Sequence, residues 1–219
     1  MQNFFDINNI FFTIYGYPMS YLEFFGTLLN IWCVWLVAKK NIWNWPIGII
    51  ATVLFLVLFY QIRLYADFFE QIYFLITGFL GWWIWKGGTK EEGNVLKISI
   101  CSKRERFFYL LVIVGMTLIL GHLMKNIHLI LPAYFPEPAS WVYVDTFTTV
   151  VSFVATYLLI VKKVEAWILW IVVDVIGIWL YFVKEVRFIS FLYLIFLVLA
   201  TKGLIDWYKT WKKLPENIS

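Results

Sequence analysis

The sequence predicts an all-α membrane protein: seven transmembrane helices in a three-one-three parallel-repeat arrangement, N-terminus outside and C-terminus cytoplasmic. Three observations predict it. Of 219 residues, 62% are hydrophobic and only 15% charged, with a mean hydropathy of +0.78, whereas soluble domains are about 45–50% apolar and about 25% charged. The apolar residues gather into seven stretches, each close to the roughly 20 residues that carry a helix across a hydrocarbon core. Finally, a shift of about 124 residues lays Trp43 on Trp167, Trp83 on Trp207 and Lys39 on Lys163, the mark of a duplicated unit.

Residues 1–19 form an interfacial N-terminal segment. Phe4, Phe5, Ile7, Ile10, Phe11, Phe12 and Ile14 are mixed there with polar groups, and the segment is expected as a helix lying on the membrane rather than crossing it. No Lys or Arg precedes Lys39, so the basic start of a signal peptide is missing and the first span is expected to direct insertion. Residues 20–86 carry the first three-helix bundle, with spans Tyr21 to Ala38, Trp45 to Gln61 and Tyr65 to Trp85. Pro46 and Gly48 in the second span, and Gly78 and Gly81 in the third, mark kinks or close helix approach. Residues 87–140 supply a cytoplasmic loop with Gly87, Gly88 and Gly93, a linker helix over Phe107 to Met124, and an outer loop with Pro132, Pro136 and Pro138. The second bundle, 141–208, spans Trp141 to Val161, Trp167 to Val183 and Phe188 to Trp207, and residues 209–219 form a cytoplasmic tail.

Helices are required because lipid satisfies no backbone hydrogen bonds, and the runs are too long and too uniformly apolar for barrel strands. A unit of three helices repeats in the same orientation only if one further helix separates the copies, and the fourth span is that helix. The charges agree. Fourteen of the eighteen Lys and Arg residues fall on one side, leaving Arg63, Lys125, Lys184 and Arg187 on the other; by the positive-inside rule the richer side is cytoplasmic. The net charge of +4 therefore reports topology, not nucleic-acid binding. Cys33 and Cys101 have no metal-site spacing and make no case for a disulfide.

A polar side chain at the centre of a span needs a reason, since a central Asp costs about 2.5–3.5 kcal/mol on insertion scales. Asp174 is such a residue. In Trp167-Ile-Leu-Trp170-Ile-Val-Val-Asp174 the spacings of three and four place two indoles and a carboxylate on one helical face. That stripe suits a flat, cationic or polarised ring through stacking and cation–π attraction. The plainer reading has Asp174 bonding a neighbouring helix and both Trp residues anchoring in lipid. Asn30, Thr52, Gln71, Thr149 and Ser152 reach similar depth, and Asp67 lies nearer an outer end, where it attracts cations or is simply solvated. Gln71 is notable because its amide both donates and accepts. Each alone also suits helix–helix adhesion. His122 and His128, the only histidines, lie off one helical face, so an intramembrane hydrolase or metalloenzyme is disfavoured. A non-transporting receptor or assembly subunit explains the helices but not an Asp beside paired Trp.

Trp43-Asn-Trp-Pro-Ile-Gly48, Leu64-Tyr-Ala-Asp67 with Gln71, Gly81-Trp-Trp-Ile-Trp85 and Glu165-Ala-Trp-Ile-Leu-Trp-Ile-Val-Val-Asp174 together resemble the PnuC family of vitamin transporters, over nearly the whole chain. The resemblance implies a relative of SWEET sugar transporters in a bacterial inner membrane, uptake of nicotinamide riboside by facilitated diffusion, and trapping by phosphorylation inside the cell. It implies no enzyme activity, no cofactor and a homotrimer. The family's pocket maps onto Trp167, Trp170, Asp174 and Gln71. Many members carry Asn where this chain has Asp174; a carboxylate fits a pyridinium ring or ribose hydroxyls, and the alternative substrate is thiamine, carried by close relatives, or another B-vitamin or nucleoside.

Overall fold

A computed structural model describes residues 4–14, 16–62, 65–87, 97–132, 141–183 and 187–213. The residues on which the sequence places Gly88, Gly93, Pro136 and Pro138 lie outside them. Among the described residues there are seven helices and one β-hairpin, and six of the helices are long and apolar enough to cross a membrane. The chain divides into two compact units: Met1–Lys97 with Val198–Thr210, and Ile98–Leu197 with Trp211–Ser219.

The first unit opens with a correction. Where the sequence suggests an interfacial helix, β1 (Ile10–Ile14) and β2 (Tyr17–Ser20) pair antiparallel. The intervening Gly16 has φ +82°, a conformation glycine adopts without steric penalty, and it allows the tight reversal. The hairpin's aromatic side chains fold back on the next helix, Phe11 lying 4.5 Å from Tyr21 and 5.1 Å from Phe24 between ring centroids. At its start, Ile7 N–H donates to Gln61 Oε1 at 3.0 Å, and Gln61 Nε2 donates to Phe5 O.

Ser20 caps α1 (Tyr21–Ala38) by accepting from Glu23 N–H at 3.2 Å. Then follow α2 (Asn44–Gln61) and α3 (Tyr65–Gly87); α1 packs on α2 and α2 on α3. Pro46 produces no kink expected of a mid-helix proline, because it sits in the first turn of α2, where its missing N–H has no intrahelical partner to lose. The glycines serve close approach instead: Gly48 faces Cys33, Gly78 faces Ile49 and Gly81 faces Trp45. The helix α3 is the one of the seven that does not qualify as a span by apolarity; Asp67, Glu70 and Gln71 dilute it.

In the second unit, Ser102 and Glu105 form a reciprocal capping box at the start of α4 (Lys103–Ile130). The helix therefore begins ahead of its apolar stretch and outruns the expected Phe107 to Met124, since capping rather than hydropathy fixes a helix end. It packs on α5 (Val142–Ile160), and α5 on α6 (Glu165–Val183). The last helix, α7 (Arg187–Lys212), contributes to both units. Within the second, Ser190 Oγ donates to Ile178 O at 2.9 Å and Tyr193 lies over Gly177. Within the first, Trp207 Nε1 donates to Val37 O at 3.3 Å and Lys40 Nζ to Thr210 Oγ1 at 2.6 Å.

The turns that join α1 to α2 and α5 to α6 have the same backbone. Lys40 and Lys162 both take the left-handed conformation, with φ of 59° and 54°. Asn41 N–H reaches Leu36 O as Lys163 N–H reaches Leu158 O, and Trp45 N–H reaches Ile42 O as Trp167 N–H reaches Val164 O. These pairs correct the register read from tryptophan spacing by two residues. The counterpart of Trp167 is Trp45, not Trp43, and carrying the shift onward puts Thr52 at the place of Asp174 and Trp85 at that of Trp207. Burial agrees: Trp43 and Trp83 are 64% and 69% exposed, whereas Trp45, Trp167 and Trp207 are buried.

Candidate functional site

The left-handed Lys162 turns the chain so that α6 begins at Glu165. Two residues later Trp167 is 1% exposed and fully inside the second unit, which removes it from the lipid-anchor reading. Trp170, half-buried, packs against the core formed by residues such as Val150, Val154 and Val173. One turn on, Asp174 is 3% exposed. A carboxylate so placed is costly unless it is paired or bonded.

Helix-borne hydroxyls show what a satisfied polar group looks like here. Thr77, Thr146, Thr156 and Thr210 each donate to the carbonyl four residues back, at 2.7–2.8 Å, the usual local solution. Asp174 has no such recourse, because a carboxylate accepts only. Among the described residues it makes no hydrogen bond or ion pair, and the same holds for the side chains of Thr149 and Ser152 on α5, the latter buried. The second unit therefore holds three sequence-predicted site residues with unused hydrogen-bonding capacity, together with Trp167 and Trp170.

In the first unit Asn30, Thr52 and Gln71 are half-buried, and their side chains also make no hydrogen bond among the described residues. Asp67 is half-buried on the first turn of α3. The place equivalent to Trp170 is Gly48, and a Cβ there would come within 2.9 Å of Cys33 Sγ. The close passage of α1 leaves no room for an indole there, so the paired tryptophans of α6 have no counterpart at Gly48.

Glu165, which the sequence presents only as the first residue of the Trp–Trp–Asp motif, has partners remote in the chain. Both of its carboxylate oxygens accept from Cys101 N–H at 3.0 Å, and Oε1 takes Arg106 Nε at 3.0 Å and Nη2 at 2.9 Å. Beside it Lys163 Nζ donates to Ile100 O at 3.3 Å and pairs with Glu105 at 3.2 Å. Ser99 and Lys163 form a parallel bridge. Burial, then the negative charge of Glu165, pushes the Cys101 thiol up to about 12. Among the described residues no group of three or more His, Cys, Asp or Glu side chains could hold a metal ion.

Residues 20–209 match the family described as nicotinamide mononucleotide transporter. The chain is 29% identical to the nicotinamide riboside transporter PnuC of Escherichia coli K12, covering 94% of each. It is 26% identical to that of Haemophilus influenzae, over 90% of this chain and 83% of the relative. It is 23% identical to the riboflavin/roseoflavin transporter RibM of Streptomyces davaonensis, over 92% and 91%. A crystal structure of the vitamin B3 transporter PnuC superposes with a TM-score of 0.70 at 25% identity, covering 88% of this chain and 83% of that one.

Proposed function

The chain belongs to the nicotinamide mononucleotide transporter family, a multi-pass protein of the bacterial inner membrane, and from that premise we propose that it carries nicotinamide riboside inward by facilitated diffusion. The observation that carries this reading is Asp174: a 3%-exposed carboxylate with no partner among the described residues, one turn from Trp170 and two from Trp167. A pyridinium nucleoside supplies what that face lacks. Its flat cationic ring stacks on indole and is drawn to carboxylate, and its ribose hydroxyls donate to the same oxygens. The three-one-three parallel repeat, outside N-terminus and cytoplasmic C-terminus belong to the same proposal, supported by the repeated turn geometry and by the distribution of Lys and Arg.

In this reading the ligand crosses unaltered, phosphorylation inside the cell traps it, and the protein itself performs no catalysis. No relay of buried carboxylates is needed for uniport. Isothermal titration of the purified protein with nicotinamide riboside, thiamine and riboflavin in turn tests the assignment. Saturable heat from nicotinamide riboside that is lost in Asp174→Ala supports it; heat from thiamine or riboflavin alone refutes it. Single alanine substitutions at Asn30, Thr52, Gln71, Asp67, Thr149 and Ser152 in the same titration sort ligand-binding positions from those that hold helices together.

A further inference from the structure

We infer that Glu165 is a positioning residue for the ligand-binding face of α6, an inference that rests on the function proposed above. Its carboxylate clasps the Cys101 N–H with both oxygens and Arg106 with one, and neither of those partners lies on α6. Ser99 N–H donates to Lys162 O at 3.1 Å and Val164 N–H to Ser99 O at 3.0 Å, so the chain ahead of α4 is stitched to the turn from which α6 departs. Lys163 adds its bonds to Ile100 O and Glu105. The first turn of α6 is thus fixed against the start of α4, and a helix held at its first turn is held in rotation along its length. Trp167, Trp170 and Asp174 follow two, five and nine residues after Glu165.

The comparison between the two copies strengthens the inference. At the shift set by the repeated turns, the place of Glu165 is taken by Trp43, which is exposed and offers no acceptor to a neighbouring strand. The clamp occurs in the copy that carries the Trp–Trp–Asp face and is missing from the copy that lacks it. A binding face must be held to within about 0.5 Å to keep its affinity, and that is the task the clamp fits.

The test uses the purified full chain with Cys33→Ala, which leaves Cys101 as its one thiol. Two quantities are read: nicotinamide riboside affinity by calorimetry, and the rate at which a maleimide labels Cys101, which is 2% exposed beneath the clamp. Glu165→Ala is expected to weaken binding about tenfold, a typical effect of a loosened supporting contact, and to speed labelling, with the elution volume unchanged. Glu165→Gln keeps an acceptor for Cys101 N–H and is expected to restore both readouts to within about threefold. Wild-type affinity in E165A, or equal losses in E165A and E165Q, overturns the inference. If the unsubstituted protein binds no nicotinamide riboside, the functional reading fails, while labelling still decides the clamp: equal protection in E165A and in the unsubstituted chain overturns it.

Discussion

The indole of Trp45 lies over Gly81 so closely that a Cβ at 81 would overlap its six-membered ring. Trp45 also meets Trp85 edge-on, with centroids 5.4 Å apart, and Trp85 lies 6.4 Å from Trp207. Gly81→Ala is therefore expected to destabilise the protein by about 1–3 kcal/mol, the range for overpacking a filled core. Gly115, with nothing within 4 Å of an added Cβ, is the control. Its replacement by Ala is expected to be neutral or to stabilise by up to about 1 kcal/mol, because Ala is the better helix former. Thermal melting in detergent reads both.

Two tryptophans that look alike in the sequence are expected to behave oppositely. Trp207 is fully buried and donates to Val37 O, whereas Trp83 is exposed. Trp207→Phe removes part of a fully buried indole and its bond to Val37 O, which keeps the Lys40 N–H at 2.8 Å, and is expected to cost about 1–3 kcal/mol through the void left behind; Trp83→Phe is expected to cost under about 0.5 kcal/mol. Equal shifts in melting temperature would contradict the repeat register drawn from the turns.

Asp174→Asn and Asp174→Ala separate charge from hydrogen bonding. The amide keeps an acceptor for ribose hydroxyls but gives up the attraction to a cationic ring. Nicotinamide riboside affinity is expected to fall about threefold to tenfold in D174N, and in D174A by about a hundredfold, roughly 2.7 kcal/mol. Undiminished affinity in D174A would remove the residue from the site.

The Cys101 thiol is expected to stay unreactive well into the alkaline range. An exposed thiol ionises near pH 8.5, but burial and Glu165 push Cys101 up to about 12. Between those values the unfolded chain carries a thiolate and the folded one does not, so this group's contribution is complete below about pH 8.5 and declines as pH rises toward 12. Maleimide labelling of C33A is expected to be far slower than that of a free thiol throughout pH 7 to 9 and still to be rising about tenfold per unit at pH 9; a rate that levels off near pH 8.5 would place the thiol in solvent.

The helices were legible because a span leaves little freedom: apolar residues over about 20 positions have one solution in lipid. Asp174 was legible for the same reason, since a carboxylate stands out in such a run. The hairpin was not, because Phe and Ile mixed with polar groups suit both a surface helix and a strand pair, and only the reversal at Gly16 decides. Tryptophans misled the register: rings at helix ends recur on both faces of any membrane protein, and Trp43 stands two residues from the buried Trp45. Glu165 was hidden because its partners are remote in sequence, Cys101 by 64 residues and Arg106 by 59. In α3 the polar residues that weaken its hydropathy include Gln71, itself a proposed ligand contact.

The central claim is transport of an unaltered nucleoside, and entry of radiolabelled nicotinamide riboside into protein-containing vesicles tests it most directly. The account predicts saturable entry without an ion gradient, recovery of the unmodified nucleoside from the lumen, and loss of entry in Trp170→Ala and Asp174→Ala. Entry no faster than into protein-free vesicles, or recovery of a cleaved product, would contradict it.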